Sequence, residues 1–329
     1  MSNMLLPYIA LFLRSVEEFC NARIVDEEIE KQVYDLRNGL KLFSDRYSKA
    51  KQKVLRIDEE QDNYFKSQLR FSFTKNLNIH YNLGIYTDPW GNIIGNTQMI
   101  SDYLNLSQNL PDEERDKYIF NFSKEFGKGV SKVYNTFYGK ETERQTIEIN
   151  DCPCCYYADA NTNRKNTVFT YNCSKELNLE ILYILSTIGF VEHVMKIMLP
   201  KNNLCLFRLE YITAHNVKNS IERITKHFDN DIENQTVISE LNKTAKINTK
   251  IFNSDFRNCI MHYKLHKENE PTVNAQNFDI TKKFFGLVES CFDGMSFEIY
   301  EAELTKYLNT VEESLKPWFS PKTKSLNSF

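Results

Sequence analysis

One segment in the C-terminal half constrains the fold more than any other. Between Glu176 and Leu199 the sequence ELNLEILYILSTIGFVEHVMKIML is apolar nearly all round, and Pro200 ends it. A helix that is hydrophobic on every side is buried in the core of a protein or spans a membrane. The second half of the segment carries Glu192, His193 and Lys196, which are costly in a bilayer. The segment therefore predicts a central buried helix.

The composition agrees with a mainly α protein. Only 10 Gly and 8 Pro occur in 329 residues, which favours long helices over a turn-rich sandwich or barrel. The formal net charge is −3, so no protein-wide basic field points to nucleic acid, and any RNA binding must be local. At this length the chain is expected to hold about two domains.

The patterns along the chain predict four regions and a mainly α fold class. A turn-forming stretch, YTDPWGNIIGN at 86–96, predicts a loop, and a helix is expected from about Pro111 to Tyr138. Strand-like runs, TIEIND and NTVFTYN, predict a small β-hairpin that carries the CPCC sequence. The predicted regions are a helical N-terminal region of unknown role (1–145), the β-hairpin with its cysteine knuckle (146–173), an antiparallel helical bundle (174–318) and a flexible polar tail (319–329).

The apolar start of the sequence and its cysteine spacing predict a cytoplasmic protein. The apolar start, Met4–Leu13, is only about ten residues long and lacks the basic flank and cleavage site of a signal peptide. The 8 cysteines do not follow the spacing of a secreted disulfide scaffold. We therefore expect a reducing compartment and no membrane partner.

The cysteine knuckle predicts a structural zinc site or a metal-free hairpin. In DCPCCYY, Cys152 and Cys155 have the C-x-x-C spacing of half a zinc site, and the expected return strand adds Cys173. A complete ribbon has a fourth cysteine where this chain has Glu176. Three thiolates and a carboxylate are an uncommon structural set, so both alternatives stay open. Redox use is disfavoured because no thioredoxin-like pattern surrounds the pair.

The most informative motif is FRNCIMHYKL at 256–265, which places Arg257, Asn258 and His262 in an otherwise apolar stretch. Buried polar groups without partners cost about 1–3 kcal/mol each, so such a cluster is either paired structurally or faces a cleft. Random placement gives about 0.03 copies of Arg followed directly by Asn or Asp with His at this spacing. Asn258 and His262 are one helical turn apart and share a face. The preceding NSD offers N-caps for a helix that begins just before the motif, whereas a single helix running from about 236 through the motif to about His266 is the other alternative, and both stay open.

A looser Arg/His pair, Arg208 and His215, is also present, but Leu209 follows its arginine and His215 lies beside an apolar stripe. Spacing of this looser kind arises by chance about 0.7 times in such a chain. We interpret His215 as a structural histidine.

The Arg-Asn-x-x-x-His motif, on a late helix of a helical bundle, resembles the signature of the HEPN superfamily. The specific match is six residues, within a region of similarity that spans about 174–318. The resemblance implies a four- or five-helix bundle and a metal-independent ribonuclease of the kind that acts in toxin–antitoxin, phage-defence and RNA-processing systems. It also implies an active site assembled from two such motifs across a homodimer, with RNA as substrate, no cofactor for catalysis and an antitoxin or regulatory partner.

The resemblance assigns roles to the motif residues. His262 would move protons near neutral pH, Arg257 would hold the scissile phosphate, and Asn258 would orient the imidazole or the phosphate. Tyr263 and His266 are expected as supporting groups beside them. The alternative is a non-catalytic helical bundle that binds nucleotide or protein, in which the polar cluster ties helices together.

Overall fold

The computed structural model describes residues 2–69, 80–104, 112–138, 155–164, 168–200, 203–262, 266–267, 270–322 and 324–325. The described residues are mainly α-helical, as predicted. The helices are α1 Leu6–Cys20, α2 Glu27–Gly39, α3 Tyr47–Ser67, α4 Thr97–Tyr103, α5 Asp112–Tyr138, α6 Lys175–Phe190, α7 Lys196–Met198, α8 Leu204–His227, α9 Gln235–Ala245, α10 Ser254–His262, α11 Leu287–Cys291 and α12 Phe297–Leu315. The strands are β1 Leu83–Thr87, β2 Ile93–Asn96, β3 Tyr156–Ala160, β4 His266–Lys267, β5 Glu270–Pro271 and β6 Lys324–Ser325.

Helix α6 is the buried central helix that the sequence predicts. The Ser174 hydroxyl accepts a hydrogen bond from the N–H of Leu177 and caps its start. Every residue from Leu177 to Phe190 is buried, and a π-helical turn, Val191–Met195, joins α6 to α7. Lys175–Met198 is long and apolar enough to cross a membrane by length and composition, but 78% of its most apolar window is buried inside the protein. Its hydrophobic surface is therefore used in the core.

The C-terminal helices pack around α6. Helix α8 contacts α6, α9 and α12, and α12 also contacts α6 and α9. Their inward faces carry large side chains that are almost fully buried, among them Tyr211, Tyr300 and Tyr307. This arrangement agrees with the helical bundle expected from 174 onwards.

A four-stranded antiparallel sheet, in the order β2-β1-β3-β6, lies against α6. The helix and the sheet approach closely at Gly189, where an added Cβ would lie 1.9 Å from the carbonyl oxygen of Ile93. Only glycine fits between helix and strand at this point, because any side chain would overlap the strand backbone.

The sheet corrects two local predictions. The stretch expected as a loop at 86–96 is a β-hairpin, in which Ile85 pairs with Asn96. In the region of the hairpin predicted at 146–173, β3 lies between the two predicted runs and pairs with β1, and Phe169 of the expected return run pairs with Phe319. The first run, TIEIND, lies outside the described residues. Strand pairing over such distances has no local sequence signal, which explains the error.

The predicted flexible tail is also partly wrong. Phe319 is only 7% exposed, and Lys324–Ser325 pair with Tyr156–Tyr157 of β3. Burial of an aromatic ring and a short strand pairing hold this segment on the sheet. One continuous hydrophobic core includes residues from both sides of the predicted boundaries, so these boundaries do not separate independent cores among the described residues.

Candidate functional site

Helix α10, which carries the motif, begins at the NSD sequence, which is one of the two alternatives that the sequence left open. The side-chain oxygen of Asn253 accepts hydrogen bonds from the N–H groups of Asp255 at 2.8 Å and Phe256 at 3.1 Å. Asn248 adopts a left-handed conformation (φ 46°) before the short 3₁₀ turn Thr249–Ile251, so α9 does not continue into the motif. The motif therefore occupies its own nine-residue helix.

Arg208 of α8 anchors the end of α10. Its Nε donates to the carbonyl oxygen of Ile260 at 2.6 Å, and its Nη2 donates to the carbonyl oxygen of Met261 at 3.0 Å and to the Ser15 hydroxyl of α1 at 2.9 Å. The last carbonyls of a helix lack intrahelical partners, and a buried guanidinium satisfies them. Arg208 is thus a structural cap that ties α1, α8 and α10 together.

His262, the last residue of α10, contacts a carboxylate that sequence reasoning missed. Its Nδ1 lies 3.0 Å from Oε2 of Glu18 in α1, and the two side chains are 39% and 29% exposed. Because a carboxylate only accepts hydrogen bonds, this contact requires a hydrogen on Nδ1. In the neutral ring, Nε2 is then the nitrogen that accepts a proton. The separation of 244 positions along the chain explains why no sequence pattern links the two groups.

Arg257 and Asn258 form the other part of the motif. Nη1 of Arg257 donates to the side-chain oxygen of Asn258 at 2.9 Å, whereas its Nε is buried and makes no hydrogen bond with the described residues. Among those residues no carboxylate forms an ion pair with Arg257. A partly buried guanidinium without a counter-charge suits an anionic ligand.

The charge of Arg257 acts on a second histidine. Burial of His215, and then the positive charge of Arg257, lower the pKa of that imidazole to about 4. The side-chain amide of Asn219 lies 3.3 Å from Nδ1 of His215, and the rings of Tyr211 and Phe252 flank it. His215 is therefore neutral at physiological pH and belongs to a packed cluster, which agrees with its interpretation as a structural histidine.

The structure does not gather all the predicted site residues on one surface. His262 lines a cavity of about 740 Å³, whereas Arg257 and Asn258 are not among its lining residues. Five positions along an α-helix correspond to about 140° of rotation, so Arg257 and His262 diverge around the axis of α10. His266 lies in β4, paired with Pro271, so its predicted place one turn along the helix is wrong. Tyr263 lies outside the described residues.

The cavity beside His262 is mostly apolar. It lies between α1, α8, α10 and the segment before α11, and aromatic rings from Phe12, Phe19, Phe284 and Phe285 line it. Phe284 and Phe285 both have positive φ values, 51° and 57°, which turn the chain sharply at the cavity wall. An apolar concavity with a few polar groups at its edge is the usual form of a small-molecule or peptide site.

The predicted zinc ligands are described only in part. Cys152 lies outside the described residues, Cys155 is half-buried, and the thiol of Cys173 donates to the side-chain oxygen of Asn234 at 3.2 Å. Burial raises the pKa of Cys173 to about 11, so this thiol is protonated. No group of three or more potential metal ligands occurs within the described ranges. The zinc site stays a prediction.

Comparisons with known proteins identify no relative of this chain. The chain matches no family model, no curated protein and no solved structure. We therefore infer function from the motif, its contacts and the chemistry of the side chains.

Proposed function

We propose that the protein is a metal-independent endoribonuclease of the HEPN type that cleaves single-stranded RNA. The observation that supports it most is the contact between His262 and Glu18, at 3.0 Å and accessible to solvent. A histidine whose Nδ1 is bound to a carboxylate presents Nε2 for proton transfer, which is the arrangement that general acid–base catalysis requires.

RNA supplies its own nucleophile, so cleavage needs only groups that transfer protons and a group that stabilises charge on the phosphate. The ribose 2′-oxygen forms a bond to phosphorus and gives its proton to a base, while the bond from phosphorus to the 5′-oxygen breaks and that oxygen takes up a proton. The products are a 2′,3′-cyclic phosphate and a 5′-hydroxyl. Neutral His262 of one copy of the chain serves as the base. The protonated imidazole of His262 in a second copy serves as the acid.

Arg257 stabilises the charge that develops on the phosphate. Its guanidinium makes no ion pair with a carboxylate among the described residues, so no internal ion pair has to be broken before phosphate binds. Two parallel hydrogen bonds from a guanidinium match the geometry of phosphate oxygens. Asn258 holds one end of the guanidinium through the 2.9 Å bond to Nη1.

A homodimer completes the proposed site. Since Arg257 and His262 diverge around α10 by about 140°, a second copy related by a twofold axis supplies the complementary group. A monomer by light scattering at the concentration of an active assay would contradict this part of the proposal. The proposed cellular role is that of a bacterial toxin or anti-phage effector controlled by an antitoxin or regulatory partner, and it rests on the resemblance alone.

A non-catalytic binding module is the second candidate, and the 740 Å³ apolar cavity favours it. The cavity accommodates apolar side chains of a protein partner, with the polar cluster acting only to hold α1 and α10 together.

RNA cleavage without metal separates the two candidates. The full chain is incubated with single-stranded RNA and with DNA of the same sequence, in EDTA. We expect RNA cleavage with a 2′,3′-cyclic phosphate end and no DNA cleavage, because DNA lacks the nucleophile. A requirement for magnesium, or cleavage of DNA, would exclude the proposed mechanism.

A further inference from the structure

A second, smaller cavity of about 280 Å³ lies between the loop after β3 and the first turns of α6. Its polar lining includes the side chains of Asn163, Asn172 and Asn178. Arg164 and Lys175 are its charged lining residues, the charge of Lys175 is balanced by Asp58 at 2.7 Å, and no described lining residue carries a carboxylate. This cavity is remote from the proposed cleavage site and is independent of that function.

The two sites lie at opposite ends of α8. Arg208, near the start of α8, contacts the end of α10, whereas His227, at its end, lies 3.4 Å from Glu176 in the first turn of α6. Nineteen residues of α-helix separate Arg208 from His227, which is about 28 Å. A ligand in the small cavity therefore does not contact His262.

Asn178 is the observation that points to a ligand. It is only 3% exposed, and its side-chain N–H donates to the carbonyl oxygen of Cys173 at 3.3 Å. Its side-chain oxygen is buried and accepts no hydrogen bond from the described residues. Buried amide oxygens are almost always paired, so this oxygen is available to a donor from a molecule in the cavity.

The start of α6 forms the part of the cavity wall that suits an anionic group. The Nζ of Lys175 is held by Asp58 at 2.7 Å and by the side-chain oxygen of Asn163 at 3.0 Å, which fixes it at the cavity wall. Glu176, the acid in this first turn, pairs with Lys51 at 3.0 Å and does not line the cavity. The N-terminus of a long helix beside cationic side chains favours an anionic group such as phosphate.

Two aromatic side chains complete the lining. The Tyr171 ring packs edge-on against Trp318 at 5.1 Å, and the Phe169 ring packs against Phe319 at 5.9 Å. These contacts hold both rings in place, so they present fixed apolar surfaces to a planar ligand.

We infer that this cavity binds a nucleotide bearing one phosphate. An N–H of the base donates to the side-chain oxygen of Asn178, the base lies against Tyr171 and Phe169, and the phosphate lies at the start of α6 beside Lys175 and Arg164. Two sources have this chemistry: a free mononucleotide, and the 5′-phosphorylated end of an RNA strand.

Titration calorimetry on the full chain tests the inference, with AMP and a 5′-phosphorylated tetraribonucleotide as the two probes. The tetranucleotide is titrated into the His262→Ala chain so that the probe is not cleaved. We expect saturable binding of one equivalent per chain. Tighter binding of AMP identifies a free nucleotide as the ligand, and tighter binding of the tetranucleotide identifies an RNA end. No saturable binding of either probe overturns the inference.

Matched variants locate the site. Asn178→Leu removes the unpaired oxygen at similar volume, and Arg164→Gln removes an exposed positive charge; each is expected to weaken binding about 10-fold or more. Lys306→Gln, which removes an exposed charge on α12 outside this cavity, should leave affinity unchanged. If Asn178→Leu fails to fold, Arg164→Gln decides alone. Unchanged affinity in Arg164→Gln contradicts the assignment.

Discussion

Glu18 of α1 and His262 of α10 lie 3.0 Å apart, although 244 positions separate them along the chain. The contact exists because Arg208 fixes the end of α10 against Ser15 of the same α1 helix. A structural cap thus positions a pair of groups with the chemistry of a catalytic dyad.

Alanine at His262 or Arg257 should abolish most RNA cleavage. General acid–base catalysis contributes about 10²- to 10⁴-fold, so His262→Ala is expected to lose at least about 100-fold in rate. Arg257→Ala should lose a comparable factor, and Arg257→Lys should restore little, because an ammonium group cannot make the planar two-point contact. Initial rates on single-stranded RNA in EDTA measure these effects.

The matched control is His227→Ala on α8, since the His227 side chain is 40% exposed and that of His262 is 39% exposed. This control should retain activity. Under the binding-module interpretation, His262→Ala would instead lower the melting temperature without any cleavage to lose.

Glu18→Gln should slow the reaction while leaving substrate binding nearly intact. The carboxylate holds the hydrogen on Nδ1 of His262, whereas the amide of glutamine can rotate and present either a donor or an acceptor. We expect kcat to fall by about 10-fold or more with little change in KM. Glu28→Gln, at an exposed position on α2, is the control, and equal kcat values for the two variants would remove Glu18 from the mechanism.

Gly189→Ala should destabilise the fold strongly. The new Cβ would lie 1.9 Å from the carbonyl oxygen of Ile93, so α6 and β2 must separate. Overpacking of this kind costs about 1–3 kcal/mol or more, which urea denaturation measures. Gly127→Ala on α5 meets nothing within 4 Å and should instead be neutral or stabilising by about 0.5–1 kcal/mol. Similar effects at both positions would show that the helix–strand contact is unimportant.

The buried carboxyl of Glu180 should make stability fall as the pH rises. Burial raises its pKa to about 8 from an ordinary value of 4.5, although the Tyr47 hydroxyl donates to it at 3.1 Å. Between these pH values the folded chain holds a proton that the unfolded chain releases, so stability is complete below about pH 4.5 and decreases by about 1.4 kcal/mol per unit as the pH rises towards 8.

Glu180→Gln tests this dependence, because glutamine has nearly the same shape and does not titrate. The variant should match the parent chain near about pH 5 and exceed its stability near about pH 8, as measured by urea midpoints. Glu59→Gln at an exposed position of α3 should follow the parent at both values. If the stability of the parent chain changed with pH in the same way as that of Glu180→Gln, the carboxyl of Glu180 would not be neutral and buried as described.

Much of the helical structure was predictable from local patterns. The helix expected from about Pro111 to Tyr138 is α5, Asp112–Tyr138, whereas the start of α10 at the Asn253 cap was one of two alternatives that the sequence left open. Helix periodicity and capping involve residues within one or two turns, so the sequence displays them directly.

The sheet and the completed site were not predictable in the same way. Strand β3 pairs with β1 and β6 from distant parts of the chain, and neither partner has a signal that identifies the other. The motif predicted Arg257, Asn258 and His262 as a group, whereas packing directs His262 to the apolar cavity and Arg257 towards His215.

Local sequence patterns were enough to predict the mainly helical fold, the buried position of α6 and the Arg-Asn-x-x-x-His motif, because these depend on neighbours within a few residues. Three features depend on the packing of distant segments: Glu18 reaches His262, Arg208 caps α10, and the side-chain oxygen of Asn178, beside a cavity, accepts no hydrogen bond from the described residues. Such contacts depend on how side chains from distant helices fill one core. The free energy of that packing cannot be predicted from any short stretch of sequence.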